Sequence, residues 1–342
     1  MTEQRMARSD VWRLQYRRDR YARHLLHAEL IRRFNDLLLN LVTVTPNGIG
    51  LGSGEISPDE ISNESTVWME KVTHVLEEFK LRYGPYPGGL KGNAPPVSKI
   101  PELASELARK TARRLEARGA DPSDVFIKFG QRKYMEMLYS SGGLRIQPAT
   151  YFAATVHNEA VKDDELTIEA SLDLSREEIA ALVSNPQEVP AASPRQRVDV
   201  KLQLESDYWL YCLSSSLVPR LFIDYDADAC VVIRDRARFT SMLQKAGLQK
   251  LSGSAMSYSP VEYIDPLLPR SLTIPVAFSK HFRYSYQNGS IAESMGRIGG
   301  SSGKFAGESA GVNPSASDGT SPLLKTKTKA FCIVVPRIQT RQ

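Results

Sequence analysis

Long apolar runs, paired cysteines and phosphate-binding glycine loops are all missing from this 342-residue chain, and each absence closes a class of function. No stretch approaches the roughly 18 consecutive apolar residues of a membrane-spanning helix. The three cysteines, Cys212, Cys230 and Cys332, are scattered without a C-x-x-C pair. That argues against a disulfide framework and for a reducing compartment. The start of the chain is rich in arginine, holds Glu3 and Asp10 early and has no apolar core, so it does not read as a signal peptide. Cytoplasm is the expected location. Gly48, Gly50, Gly52 and Gly54 imitate a phosphate loop. A dinucleotide fingerprint, however, needs glycine at its first, third and sixth positions, after a strand. The sixth position is Ser53 counted from Gly48 and Glu55 counted from Gly50, and the preceding segment reads as helix. These glycines are expected to form a flexible linker. His24 and His27 share a helical face but stand among arginines, with no acid or cysteine to complete a ligand set. No metal site is expected.

What is present is ordinary in composition, 42% hydrophobic and 24% charged. The formal net charge of +5 is unevenly placed. Residues 1–33 hold nine arginines against four acids, and the last twenty residues hold five basic groups and no acid, which leaves the middle at −5. Basic ends of this kind suit a nucleic acid or another anionic partner, or serve simply as solvated surface.

Periodicity predicts a helical N-terminal region over 1–120. It contains one long helix over 8–42, with Leu26, Leu30, Phe34, Leu37 and Leu41 in register, a second over 64–82 and a third over 101–118 closed by Gly119. From Asp121 the character changes to short strands and helices. Strands are expected at 125–129, 144–147, 166–172, 198–205, 208–213, 229–233, 257–264 and 272–277. Helices are expected from Ser175 to about Val183 and from Asp235 to Ala246, the latter ended by Gly247. Residues 288–322 contain eight glycines and eight serines and are expected to be disordered, with Ala330–Val335 as a lone strand-like run beyond them. The fold class is α+β: a helical region at 1–120, a mixed, mainly antiparallel core with flanking helices at 121–287, and a loose tail at 288–342.

Potential acids, bases and ligands concentrate between Val125 and Glu165. His157, Asn158 and Glu159 are followed by Asp163, Asp164 and Glu165. Clustered carboxylates can bind a cation or raise one another's pKa for acid–base work, with Lys201 and Glu205 available from a neighbouring strand; they can equally form a polar loop that caps a strand. A second polar run, Lys280 to Gln287, alternates cations with aromatics. It reads either as a nucleotide-holding strand or as an edge strand with snorkelling basic residues. Cys212 has no histidine beside it and is not expected to be a nucleophile.

The segments KFGQRKYMEMLYSSGGLRIQPATYF, HNEAVKDDEL, DYWLYCLSS, VEYIDP and AFSKHFRYSYQ, spanning roughly 122–287, together resemble a bacterial family of unknown function. They are more distantly similar to ADP-ribosyltransferase-like toxins. That likeness implies a polar first strand, a helix ending at Gly142-Gly143, a central aromatic and a late strand bearing Gln-x-Glu. It implies NAD as the bound molecule, Lys128 and Arg145 on its phosphates, and Tyr151 near the nicotinamide. His281 and Arg283 would stand as further nucleotide contacts, and His157, Asp163, Asp164 and Glu165 as the catalytic set. Gln287 would open the Gln-x-Glu, but Gly289 stands where the Glu is expected. The functional expectation is an enzyme directed at a nucleotide or nucleic acid. The alternative is a non-catalytic interaction protein of phage defence or stress response that docks through its basic helix. Oligomeric state stays open.

Overall fold

The computed structural model describes residues 6–51, 63–85, 100–119, 125–154, 160–175, 177, 195–250, 256–269, 274–287 and 331–336. The expected order of N-terminal helices followed by a mixed, mostly antiparallel sheet with flanking helices is what it shows. The single helix expected over 8–42 is two, α1 (Arg8–Asp19) and α2 (His27–Leu41). Arg20 breaks it by adopting a left-handed conformation, φ +46°, while its N–H donates back to Tyr16 O at 2.6 Å. That backbone is disfavoured for arginine. It is offset because the turn delivers the Arg20 guanidinium to the buried carboxylate of Glu78, with Nη2–Oε1 at 3.0 Å. α2 starts with the Glu29 carboxylate accepting the Leu26 N–H at 2.7 Å. It does not end in a linker. Val42–Thr45 (β1) and Gly48–Leu51 (β2) form an antiparallel hairpin, so Gly48 and Gly50 are strand residues, while Gly52 and Gly54 lie outside the described residues.

α3 (Asn63–Tyr83) runs where the second helix is predicted and packs on both earlier helices. Tyr16, Leu30, Leu37, Trp68, Val75 and Phe79 fill the interface, and Phe282 from the far end of the core closes it. The third helix is a short turn α4 (Ile100–Leu103) and α5 (Glu106–Glu116). The Ser105 side chain accepts the Ala108 N–H at 3.3 Å, a hydroxyl N-cap that the sequence reading passed over.

β3 (Phe126–Gly130) is followed by α6 (Arg132–Ser141), which stops at Gly142 in the left-handed conformation, φ +67°, as the glycine pair predicts. Of the strand expected at 144–147, only Gln147 is in a strand, the two-residue β4 (Gln147–Pro148), which leads into α7 (Ala149–Phe152). β5 (Thr167–Ser175) and β6 (Arg195–Gln203) form a nine-pair antiparallel ribbon. β7 (Tyr208–Leu213) and β8 (Ala229–Ile233) fall where predicted, separated by α8 (Pro219–Asp224). Helix α9 (Arg236–Lys250) runs through Gly247 instead of stopping there. β9 (Ser257–Pro260) and β10 (Glu262–Ile264) replace one expected strand. Of the strand expected at 272–277, residues 272 and 273 lie outside the described residues, and Val276–Phe278 form a 3-10 turn. The closing Lys280–Gln287 segment is a short strand β11 (Ser279–His281) followed by a 3-10 helix (Phe282–Gln287). Gln287 therefore does not sit on a late strand. The helix expected from Ser175 to Val183 lies almost wholly outside the described residues.

β4, β7, β12 (Phe331–Pro336) and β9 line up as one antiparallel sheet in that order. A strand from beyond Gln287 thus lies inside the sheet, pairing Cys332 with Cys212 and Ser259. β3 pairs with β8, and reciprocal Ile127–Ser214 hydrogen bonds of 2.7 and 2.9 Å tie β3 to the end of β7. β10 and β11 are parallel, with Tyr263 opposite Lys280.

The helical region and the core share buried polar ties. Asp265, after β10, takes a bidentate pair from Arg33 of α2, both contacts 2.8 Å, and the Lys71 ammonium of α3 at 2.5 Å. Burial alone would raise the Asp265 carboxyl, but the two cations hold it well below the usual range. The fully buried Arg220 of α8 donates to Leu39 O and Val42 O, so a side chain from the core caps the carbonyl end of α2. Its remaining partners are Asp224, at 2.7 Å, and the Tyr286 ring.

Candidate functional site

The acidic run lies on a loop, 160–166, whose backbone is fixed from several sides. Gln287 Nε2 donates to Ala160 O at 2.8 Å, Tyr284 OH donates to Lys162 O, and Tyr208 OH donates to Glu165 O at 2.7 Å. Asp163 N–H donates to Phe152 O at 3.0 Å. Asp164 opens a turn, its carbonyl accepting the Thr167 N–H and its outward-facing carboxylate the Leu166 N–H, both at 3.2 Å, while the Glu165 side chain turns inward and is 4% exposed.

Lys280 closes the arrangement. β10 places it beside the loop, and its ammonium meets Glu165 Oε1 in a very short contact and Asp163 Oδ2 at 3.3 Å. Burial pushes the Glu165 carboxyl above the ordinary range. Lys280 pulls against that shift and Asp163 adds to it. The group is therefore poised to hold or release a proton near neutrality.

This triad stands in the wall between two cavities. The inner one, about 230 Å³, is lined by Phe152, Tyr225, Tyr263 and Cys212, with Lys128, Glu165 and Gln287 also at its surface. The outer one is an open groove of about 540 Å³ carrying Arg32, Lys162, Lys201 and Arg283 against Asp36, Asp163, Asp164 and Glu169. Lys280 borders both.

The residues singled out in the sequence are distributed as follows. Asp163, Asp164, His281 and Arg283 line the outer groove, and Glu165 and Lys128 the inner cavity. The His281 ring accepts the Arg283 N–H on Nδ1 at 3.1 Å, and burial lowers its pKa to about 4, so it is a neutral acceptor. Lys128 donates to Cys212 O at 3.0 Å and sits 4.5 Å from the centre of the Tyr211 ring. Lys128 also borders a third cleft with Arg145, and Arg145 lies over Tyr151. Tyr151 lines neither of the first two cavities. His157 and Glu159 lie outside the described residues. Lys201 borders the outer groove, and its ammonium lies 3.9 Å from Glu169. No group of three metal-ligating side chains occurs among the described residues, and no helix among them is long and apolar enough to cross a membrane.

Lys280, Tyr225 and Tyr263 were not on the sequence-derived list of site residues. Lys280 opens the cation–aromatic run, but its partner Glu165 is 115 positions away, and the two segments meet through long-range ties such as Tyr284 OH to Lys162 O and Gln287 Nε2 to Ala160 O. Four of the nine N-terminal arginines are engaged with acids. Arg13 and Arg17 face Glu77, Arg20 faces Glu78, and Arg33 faces Asp265. Arg8, Arg18, Arg23 and Arg32 carry no ion pair among the described residues.

No protein-family model, no curated protein and no solved structure matches the chain.

Proposed function

We propose that the two cavities form a nucleotide site and that the protein is a nucleotide-directed enzyme, ADP-ribosyl transfer from NAD being the sharpest version. One observation carries the reading. A buried Lys280–Glu165–Asp163 triad divides an aromatic-lined cavity from a groove lined by cations, among them Arg283, 4.0 Å from Asp36, and Lys201, 3.9 Å from Glu169. The inner cavity suits a flat ring held by Phe152, Tyr225 and Tyr263. Arg32, Lys162 and Arg283 along the groove suit phosphates, met here by side chains. Glu165 is the residue we assign to proton transfer with, or orientation of, an acceptor group, with Lys280 setting its charge. A cytoplasmic setting accords with free thiols at Cys212 and Cys230. Nucleic-acid retention by residues 1–33 would draw on the arginines not engaged with Glu77, Glu78 or Asp265.

Calorimetric titration with NAD, AMP and ADP tests the assignment. Binding is expected to weaken about tenfold in Arg283→Ala, the loss of one charge-assisted contact, without a change in melting temperature. Heats no larger than dilution for all three ligands would overturn the nucleotide reading.

A further inference from the structure

The third cleft is separate from the triad and has its own chemistry. It occupies about 180 Å³ between β3, α6 and the chain after Gly143, with Tyr134, Met135, Met137, Leu138, Leu144 and Tyr211 supplying an apolar lining. That volume has room for a single flat ring system and falls below the roughly 300 Å³ at which sites for drug-sized ligands begin. Glycine backbone makes part of its wall. A Cβ on Gly143 would stand 2.8 Å from Met137 Cγ, and one on Gly130 would stand 3.0 Å from Met135 Cε. The mouth is cationic and aromatic. Lys128 and Arg145 both border the cleft and no acid does. Arg145 lies 5.7 Å from the Tyr151 ring centre, and Lys133 lies 4.7 Å from that of Tyr134. Tyr134, Met137 and Tyr151 are 45%, 42% and 37% exposed, so large stacking surfaces are presented to solvent beside fixed positive charge. α6 adds Arg132 and Lys133 against a single acid, Glu136.

Flat apolar faces interleaved with cations are what a single-stranded nucleic acid requires: bases stack on the aromatic groups, and phosphates pair with the lysines and arginines. A duplex cannot use the cleft, because a base must leave its stack to enter. We infer that α6 and this cleft bind one unpaired base of a single-stranded nucleic acid, with Tyr134 as the stacking face and Arg145, which lies over Tyr151 beside the cleft, on the backbone. The inference deepens the nucleotide reading by naming the class of acceptor. Lys128, which borders both this cleft and the inner cavity, places the two subsites on either side of one strand.

The test is fluorescence anisotropy with labelled oligonucleotides of about 12 nucleotides, as DNA and as RNA, single-stranded and as duplex, measured without NAD so that failure here is distinguishable from failure of the inner site. Single strands are expected to bind at least tenfold tighter than the duplex. Tyr134→Ala and Arg145→Ala are each expected to weaken single-strand binding about tenfold. Tyr139→Ala serves as control: this ring is 85% exposed on the same helix but outside the cleft, and its removal should leave binding unchanged. Equal affinity for duplex, no measurable binding of either single strand, or wild-type binding by Tyr134→Ala and Arg145→Ala would overturn the inference.

Discussion

Replacing Lys280 with methionine should destabilise the protein more than replacing Glu165 with glutamine, and the difference should depend on pH in a fixed direction. The two side chains are 12% and 4% exposed, so their charges are held largely out of water. Removing one partner of a buried pair leaves the other uncompensated and costs about 3–5 kcal/mol. Lys280→Met does this fully: Glu165 and Asp163 are left facing one another without a cation. Glu165→Gln does it only in part, because Lys280 keeps Asp163 at 3.3 Å, and a cost of about 1–3 kcal/mol follows. For a chain of 342 residues each kcal/mol moves the melting temperature by roughly 2 °C, so the expected losses are about 6–10 °C and 2–6 °C. The sign of the pH dependence follows from the carboxyl. Burial lifts its folded pKa to about 8, with Asp163 adding to the shift and Lys280 opposing it, so without Lys280 it rises further. A group raised in this way gives stability that is complete below its unfolded pKa and is lost as pH rises through the folded value. Wild type and Lys280→Met lose this stability in parallel up to about pH 8, so the gap between them should be level there and widen between about pH 8 and 10. Differential scanning fluorimetry across that range measures it. Equal losses for the two variants, or a gap that stays constant with pH, would refute the view that Lys280 neutralises a buried acid.

Asp265→Ala is expected to cost about 3–5 kcal/mol in denaturant unfolding, because Arg33, 5% exposed, then has no carboxylate; a wild-type midpoint would show that the helical region is not tied to the core through this residue. His74 and His281 are both lowered by burial from 6.5 to about 4, so their neutral forms support the fold fully above pH 6.5 and progressively less as pH falls toward 4. Each contributes a slope of at most about 1.4 kcal/mol per pH unit, and His74→Phe, which keeps a flat ring against Tyr16, should flatten the acid limb of a stability–pH curve.

Local signals in the sequence located most elements because they report on nearest neighbours. The alternation at 198–204 is β6, the apolar run at 208–213 is β7, and Gly142 ends α6 in the left-handed conformation its lack of a Cβ permits. The misread elements are those decided at long range. Periodicity carries straight through Arg20, and the break there depends on Glu78, 58 residues away. Nothing within Phe282–Gln287 opposes a strand. It winds into a 3-10 helix where Asn40 of α2 accepts the Tyr286 N–H at 3.0 Å and donates to Phe282 O at 3.0 Å. The basic N-terminus read as a surface charge because the carboxylates that neutralise part of it lie on α3 and after β10. Charge counted along a chain says little about charge presented to solvent when buried acids draw on it from elsewhere.

The same distinction explains what became of the acidic cluster. Read as a run, Asp163, Asp164 and Glu165 look equivalent, and three like charges together suggest a cation. Folded, they are not equivalent. The turn at Asp164 leaves Glu165 inward and Asp164 outward, with Asp163 within reach of the ammonium that Glu165 already holds. Lys280 supplies a positive charge to the cluster. This has a consequence for chemistry. A metal-bound carboxylate is fixed as an anion, whereas one held by a lysine in a buried cavity can exchange a proton with its partner or with a ligand at modest cost. Of the three acids, Glu165 alone combines burial, a neighbouring acid and contact with a cavity large enough for a ring. This is what supports the proposal that Glu165 does the acid–base work, with Asp163 and Lys280 setting its charge and Asp164 left to the groove outside.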